Sequence, residues 1–75
     1  MTIFVTLSVN IMKVKYDKEV DVLSIIFSDK QVNESDEGKP GVIIDYDKNG
    51  FVIGIEILNA SKQMQNPTKV EYEVT

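Results

Sequence analysis

Apolar and polar residues alternate with a period of two along most of the chain, the mark of strands with one buried face. Met12, Val14 and Tyr16 alternate with Lys13, Lys15 and Asp17. After a polar turn at Asp17, Lys18 and Glu19, Leu23, Ile25 and Phe27 alternate with Val22, Ser24 and Ile26. Residues 28–41 are rich in Ser, Asp, Asn, Glu, Gly and Pro and read as a long loop. A third strand is expected over Val42–Tyr46 and a fourth over Phe51–Ile57. They meet at Asn49-Gly50, the strongest short hairpin signal in the chain. Asn59 stands where it would cap a short helix over Ala60–Met64, and Asn66-Pro67 would end it. Val70, Tyr72 and Val74 alternate with Glu71 and Glu73, so the tail 65–75 is a candidate fifth strand or an arm laid on a partner.

Register follows from the same pattern. A two-residue turn at Asn49-Gly50 sets Tyr46 opposite Ile53, Ile44 opposite Ile55 and Val42 opposite Ile57, and one face becomes wholly apolar. A three-residue loop would set Val42 opposite Glu56 and mix the faces, because a one-residue slip turns every side chain over. Turn chemistry is less decisive, since Asp47-x-Asn49-Gly50 also suits a type I turn closed by a glycine bulge. The first hairpin is expected to pair Tyr16 with Leu23, Val14 with Ile25 and Met12 with Phe27. The expected fold is α+β: a four-stranded antiparallel β-meander of two hairpins, a short C-terminal helix, and candidate extra strands at the termini. Residues 1–11 read as an N-terminal extension, 12–64 as the single domain and 65–75 as the tail. The second face still carries Val22, Ile26, Ile43 and Val52, a patch that points to a homo-oligomer, most simply a dimer. The alternative is that Ile3–Val9 or the tail covers it within one chain.

Composition narrows the function by elimination. A chain of 75 residues allows one small domain with a marginal core. It has no His and no Cys, which excludes zinc fingers, thiol nucleophiles and the usual imidazole-based triads. A net charge of -4 argues against nucleic-acid phosphate as the partner, which needs Lys and Arg to release counterions. No apolar run approaches the roughly 18 residues of a membrane span, so no membrane is expected. Met1–Asn10 lacks the basic start of a signal peptide, and the absence of Cys fits a cytoplasmic protein.

The sharpest motif is Asp45-x-Asp47-x-Asn49-Gly50 with Glu56 six residues after the glycine. It satisfies the calcium-loop pattern, which gathers hard oxygens around a sharp glycine bend. The flanks read as strands rather than the helices of that motif, so turn chemistry with solvated carboxylates is the plainer reading. Asp45 and Glu56 also form the one acid–base candidate, but a flat sheet face is expected to offer little cleft. Ser24, Ser28, Ser35 and Ser61 have no His to activate them.

Two stretches resemble a known family. Met12-Lys13-Val14-Lys15-Tyr16-Asp17, followed by Asp21-Val22-Leu23, is similar to its opening hairpin. Gly41-Val42-Ile43-Ile44-Asp45-Tyr46-Asp47, Gly50, Gly54-Ile55-Glu56-Ile57-Leu58 and Ala60-Ser61 are similar to its second half. The family is the bacterial and archaeal domain-of-unknown-function family 2283, and the resemblance spans about residues 12–64. Ser24 stands where members often carry an aromatic residue. The resemblance implies a small β-rich domain with a short C-terminal helix and no established activity. The resemblance also implies kinship with some members read as neighbours of small toxin-like genes, and through them an antitoxin-like or accessory role.

The expected function is therefore a small non-enzymatic protein-binding domain without a cofactor. Its acidic face, Asp45, Asp47 and Glu56, would meet a small basic protein. The alternative is a calcium or hard-cation module using Asp45, Asp47, Asn49 and Glu56.

Overall fold

A computed structural model describes residues 12–75. The expectation that Ile3–Val9 might cover a sheet face lies outside the described residues. The elements are β1 (Lys13–Asp17), β2 (Val22–Ile26), β3 (Glu34–Lys39), β4 (Val42–Tyr46), β5 (Val52–Leu58) and α1 (Ala60–Gln63). The strands form one antiparallel sheet of five in the order β1-β2-β5-β4-β3.

Two corrections to the meander follow. The segment expected to be loop contains a strand, β3, and β2 pairs with β5 rather than with β4. Both have one cause. Pro40-Gly41, with Gly41 at φ 81, makes a tight turn that folds β3 back onto β4. The turn after Tyr46 folds β5 onto the other side of β4. With both its edges taken, β4 has none left for β2. The connection from β2 to β3 therefore runs past two strands, and β2 to β5 make a Greek key. All six residues of β3 are exposed, as suits a polar edge strand, and a register irregularity between Asp36 and Lys39 blunts that edge.

The first hairpin has the expected register, with Tyr16 opposite Leu23 and Val14 opposite Ile25. In the second, Val42 lies opposite Ile57 and Ile44 opposite Ile55, again as expected. Tyr46, however, lies opposite Val52 instead of Ile53, with a bulge between Asp45 and Tyr46. The turn is the type I form with a glycine bulge. Gly50, at φ 86, donates its N–H to the Asp47 carbonyl at 3.0 Å, and Asp47 donates to the Phe51 carbonyl at 2.9 Å.

By this register Val14, Tyr16, Leu23, Ile25, Ile55, Ile57, Val42 and Ile44 share one face, which is apolar. Helix α1 follows β5 and is tied to the β1–β2 turn through Asp21. Asn59 precedes the helix in a left-handed conformation and makes no side-chain cap, contrary to its expected role. Asp21 does the capping from across the chain. Its carbonyl accepts the Ala60 N–H at 3.0 Å, and its carboxylate accepts the Ser61 N–H at 3.0 Å and the Ser61 hydroxyl at 2.8 Å. The Tyr16 hydroxyl donates to the same carboxylate at 2.6 Å. These bonds hold the Asp21 carboxyl below its ordinary range, the Tyr16 bond contributing most.

Beyond Met64 the tail carries no helix or strand. Pro67, Thr68 and Val70 border Val14 and Tyr16 across a concavity of about 330 Å³. Tyr72 and Val74 stay largely exposed, at 76% and 79%. Among the described residues only Leu23, Ile53 and Ala60 are buried hydrophobics, and no large side chain is fully buried. No helix among them is long and apolar enough to cross a membrane.

Candidate functional site

The opposite face has a polar centre. Its rungs follow from the ladder. Lys13, Ile26, Gly54 and Asp45 lie side by side across β1, β2, β5 and β4, and Ser35 of β3 extends that rung. Lys15, Ser24, Glu56 and Ile43 form the next rung. Asp45 and Glu56 are thus diagonal neighbours, as the register expected.

Gly54 is what lets them meet. A Cβ built there would sit 3.5 Å from Asp45 Oδ2 and 3.4 Å from the Ile25 carbonyl oxygen. The Asp45 carboxylate leans over this bare backbone toward Glu56. Asp45 is 9% exposed, and its Oδ1 accepts the Ser35 hydroxyl at 2.5 Å. The missed strand therefore supplies a ligand to the site. A hydrogen bond with Asp45, then loss of solvent, then the Asp45 charge raise the Glu56 carboxyl above its ordinary 4.5. Glu56 therefore keeps its proton to a higher pH than an isolated Glu would.

The pair does not lie on a flat surface. Ser28, Lys30 and Val32 of the β2–β3 connection wall off a cavity of about 280 Å³ above Ser24, Ile26, Gly54, Asp45 and Glu56. The expected absence of a cleft is corrected by that crossover, whose path depends on the position of β3.

Asp47 does not join this pair. Its Oδ1 accepts the Asn49 N–H and the Phe51 N–H, each at 2.9 Å, and so holds its own turn together. Its Oδ2 is buried without a hydrogen-bond partner, and Lys30 Nζ lies 3.9 Å away. Asn49 is exposed in the same turn. Among the described residues no group of three acidic side chains comes together to hold a metal ion. The calcium-like spacing is read out here as a turn (Asp47, Asn49, Gly50) and a separate carboxyl pair (Asp45, Glu56). Sequence reasoning missed Ser35, Lys30 and the Asp21 hub. For Ser35 the signal was Pro40-Gly41, which, read as a hairpin turn, lays the polar segment back along β4.

A family model described as "Protein of unknown function (DUF2283)" matches residues 13–61. A curated relative, an uncharacterised protein of Methanocaldococcus jannaschii, is 41% identical over 51 residues. That alignment covers 68% of this chain and 43% of the relative, so the chain spans less than half of the relative's length. No solved structure matches.

Proposed function

The chain belongs to that DUF2283 family, and from this premise we propose that it is a small, non-enzymatic protein-binding domain whose docking surface is the polar-centred face. One observation carries the reading. A five-stranded sheet presents apolar residues on both faces, yet Leu23, Ile53 and Ala60 are the buried hydrophobics of the described chain. On the polar-centred face Val22, Ile26, Ile43 and Leu58 remain only half-buried around the carboxyl pair. Apolar surface around a charged centre suits a protein partner: the apolar rim contributes area, and the charge selects a basic complement. An antitoxin-like or accessory role toward a small basic protein fits that chemistry.

The test is affinity capture from the host with the wild-type chain and with Glu56→Lys. The expected result is a stoichiometric basic protein, released by salt and lost with the variant. Capture that Glu56→Lys leaves unchanged contradicts the reading.

A second reading has one observation in its favour. A carboxyl of raised pKa, Glu56, beside Asp45 at the edge of a concavity is equipped for general acid–base catalysis. The check is hydrolysis of a panel of nitrophenyl esters and glycosides. Activity abolished by Glu56→Gln would establish it, and no turnover by the wild type would end it.

A further inference from the structure

The two edges of the sheet are not alike. β3, at one edge, is acidic at Glu34, Asp36 and Glu37 and is interrupted by a register irregularity. β1, at the other, is regular along its length, and among the described residues it pairs with β2 alone. Val14 and Tyr16 belong to its apolar face, Lys13 and Lys15 to the other. Such an edge offers backbone groups to an incoming strand. The tail has the matching pattern. Val70, Tyr72 and Val74 are strand-favouring residues and alternate with Glu71 and Glu73, yet the tail joins no ladder and these three side chains stay exposed. Laid antiparallel on β1, it sets Lys69 opposite Asp17, Val70 opposite Tyr16, Glu71 opposite Lys15, Tyr72 opposite Val14 and Glu73 opposite Lys13. Apolar pairs then fall on one face and opposite charges on the other. A slip of one residue sets glutamate against apolar side chains, and a slip of two sets Glu71 against Asp17 or Lys69 against Lys15.

A chain's own tail does not take this place. The Asn66 side-chain oxygen accepts the Thr68 N–H at 3.1 Å and the Thr68 hydroxyl at 2.6 Å, and the Asn66 carbonyl accepts the Lys69 N–H at 3.2 Å. That turn seats Pro67, Thr68 and Val70 beside the apolar side chains of β1, across a concavity of about 330 Å³, rather than in its ladder. We propose that the β1 edge of each copy takes the tail of a second copy, residues 69–75, as an added antiparallel strand. Each copy offers one edge and one tail, so the exchange is reciprocal and closes as a dimer. It covers Val70, Tyr72 and Val74, which one chain leaves exposed. It goes beyond the protein-binding reading, because it uses the sheet edge and not the carboxyl pair.

Sedimentation equilibrium of the full chain tests it, with the wild type, Tyr72→Pro, the double variants Glu71→Lys/Glu73→Lys and Lys13→Glu/Lys15→Glu, and an equimolar mixture of the two double variants. The wild type should sediment at twice 8.5 kDa. Tyr72→Pro removes a ladder N–H from a tail that one chain leaves unpaired, so it should spare the fold and weaken association at least about tenfold. Each double variant alone should associate more weakly than the wild type, and their mixture should recover a dimer, because each tail then meets an edge of opposite charge. Circular dichroism checks that every variant folds. Hydrogen exchange should show the backbone N–H groups of residues 70–74 protected in the wild type and open in Tyr72→Pro. A monomeric wild type overturns the proposal, and so does a dimer that Tyr72→Pro leaves intact or one whose tail exchanges freely. Capture of a basic protein through Glu56 by a monomeric wild type would leave the binding reading standing and end this inference alone. A tail-exchanged dimer that captures nothing would do the reverse.

Discussion

The two faces of the sheet are built from adjacent residues of the same strands, yet they do different work. The apolar face gathers Leu23, Ile25, Ile55 and Ile57, and the start of the tail borders it at Val14 and Tyr16. The other face places a carboxyl pair over a glycine, with lysines two strands away. On the first face a substitution should be felt in folding. On the second it should be felt in association and in pH dependence. Period-two alternation is what allows one short chain to separate these tasks.

The largest expected effect tests the folding side. Leu23→Ala deletes one of the few buried hydrophobic side chains and should cost about 2–4 kcal/mol, read by urea denaturation. A loss far below that would mean that the apolar face is not where stability resides. Next comes Asp47, which belongs to neither face. Asp47→Ala removes the acceptor of two backbone N–H groups and should cost about 1–2 kcal/mol while leaving association unchanged. Loss of partner capture by that folded variant would tie the turn to the docking surface.

A third comparison uses pH, and the two regions should have opposite slopes. Glu56 has a raised carboxyl pKa in the folded chain, so its contribution is present below the ordinary 4.5 and is lost as pH rises through the folded value. Asp21 has a lowered one, so its contribution is present above the ordinary 3.8 and is lost as pH falls through the folded value. Thermal melts of the protomer at low concentration, taken across the acid range, should show the first slope vanish in Glu56→Gln and the second in Asp21→Asn. The smallest effect is expected from Tyr16→Phe, which removes one donor to Asp21 and should shift its acid limb toward higher pH. Identical acid limbs in wild type and Tyr16→Phe would remove that bond from the account.

What could be read in the sequence was local. The pairings of Val14 with Ile25 and of Ile44 with Ile55 follow from alternation, since any slip would bury Lys15 or Glu56. What escaped was the arrangement between hairpins. Strand β3, with Glu34, Ser35, Asp36 and Glu37, has a loop's composition because an edge strand needs no buried face. Without it the order of the sheet, the crossover that walls the cavity and the Ser35 hydrogen bond were all out of reach. The motif at Asp45–Glu56 was legible as a cluster, but its division was not. The glycine bulge at Gly50 commits Asp47 to its own turn, and the bare backbone at Gly54 brings Asp45 to Glu56. Asp21 was hidden for another reason: its partner Ser61 lies 40 residues away, beyond any local pattern.

The most direct test of the account asks which face meets the protein partner. The chain has no cysteine, so a single introduced thiol is a unique site for a nitroxide label. Ser24→Cys reports from the polar-centred face and Val14→Cys from the apolar one. The account expects the captured basic protein to immobilise the label at position 24 and to leave the label at 14 unchanged. Immobilisation at 14 without immobilisation at 24 would show that the apolar face docks instead and would contradict the central claim.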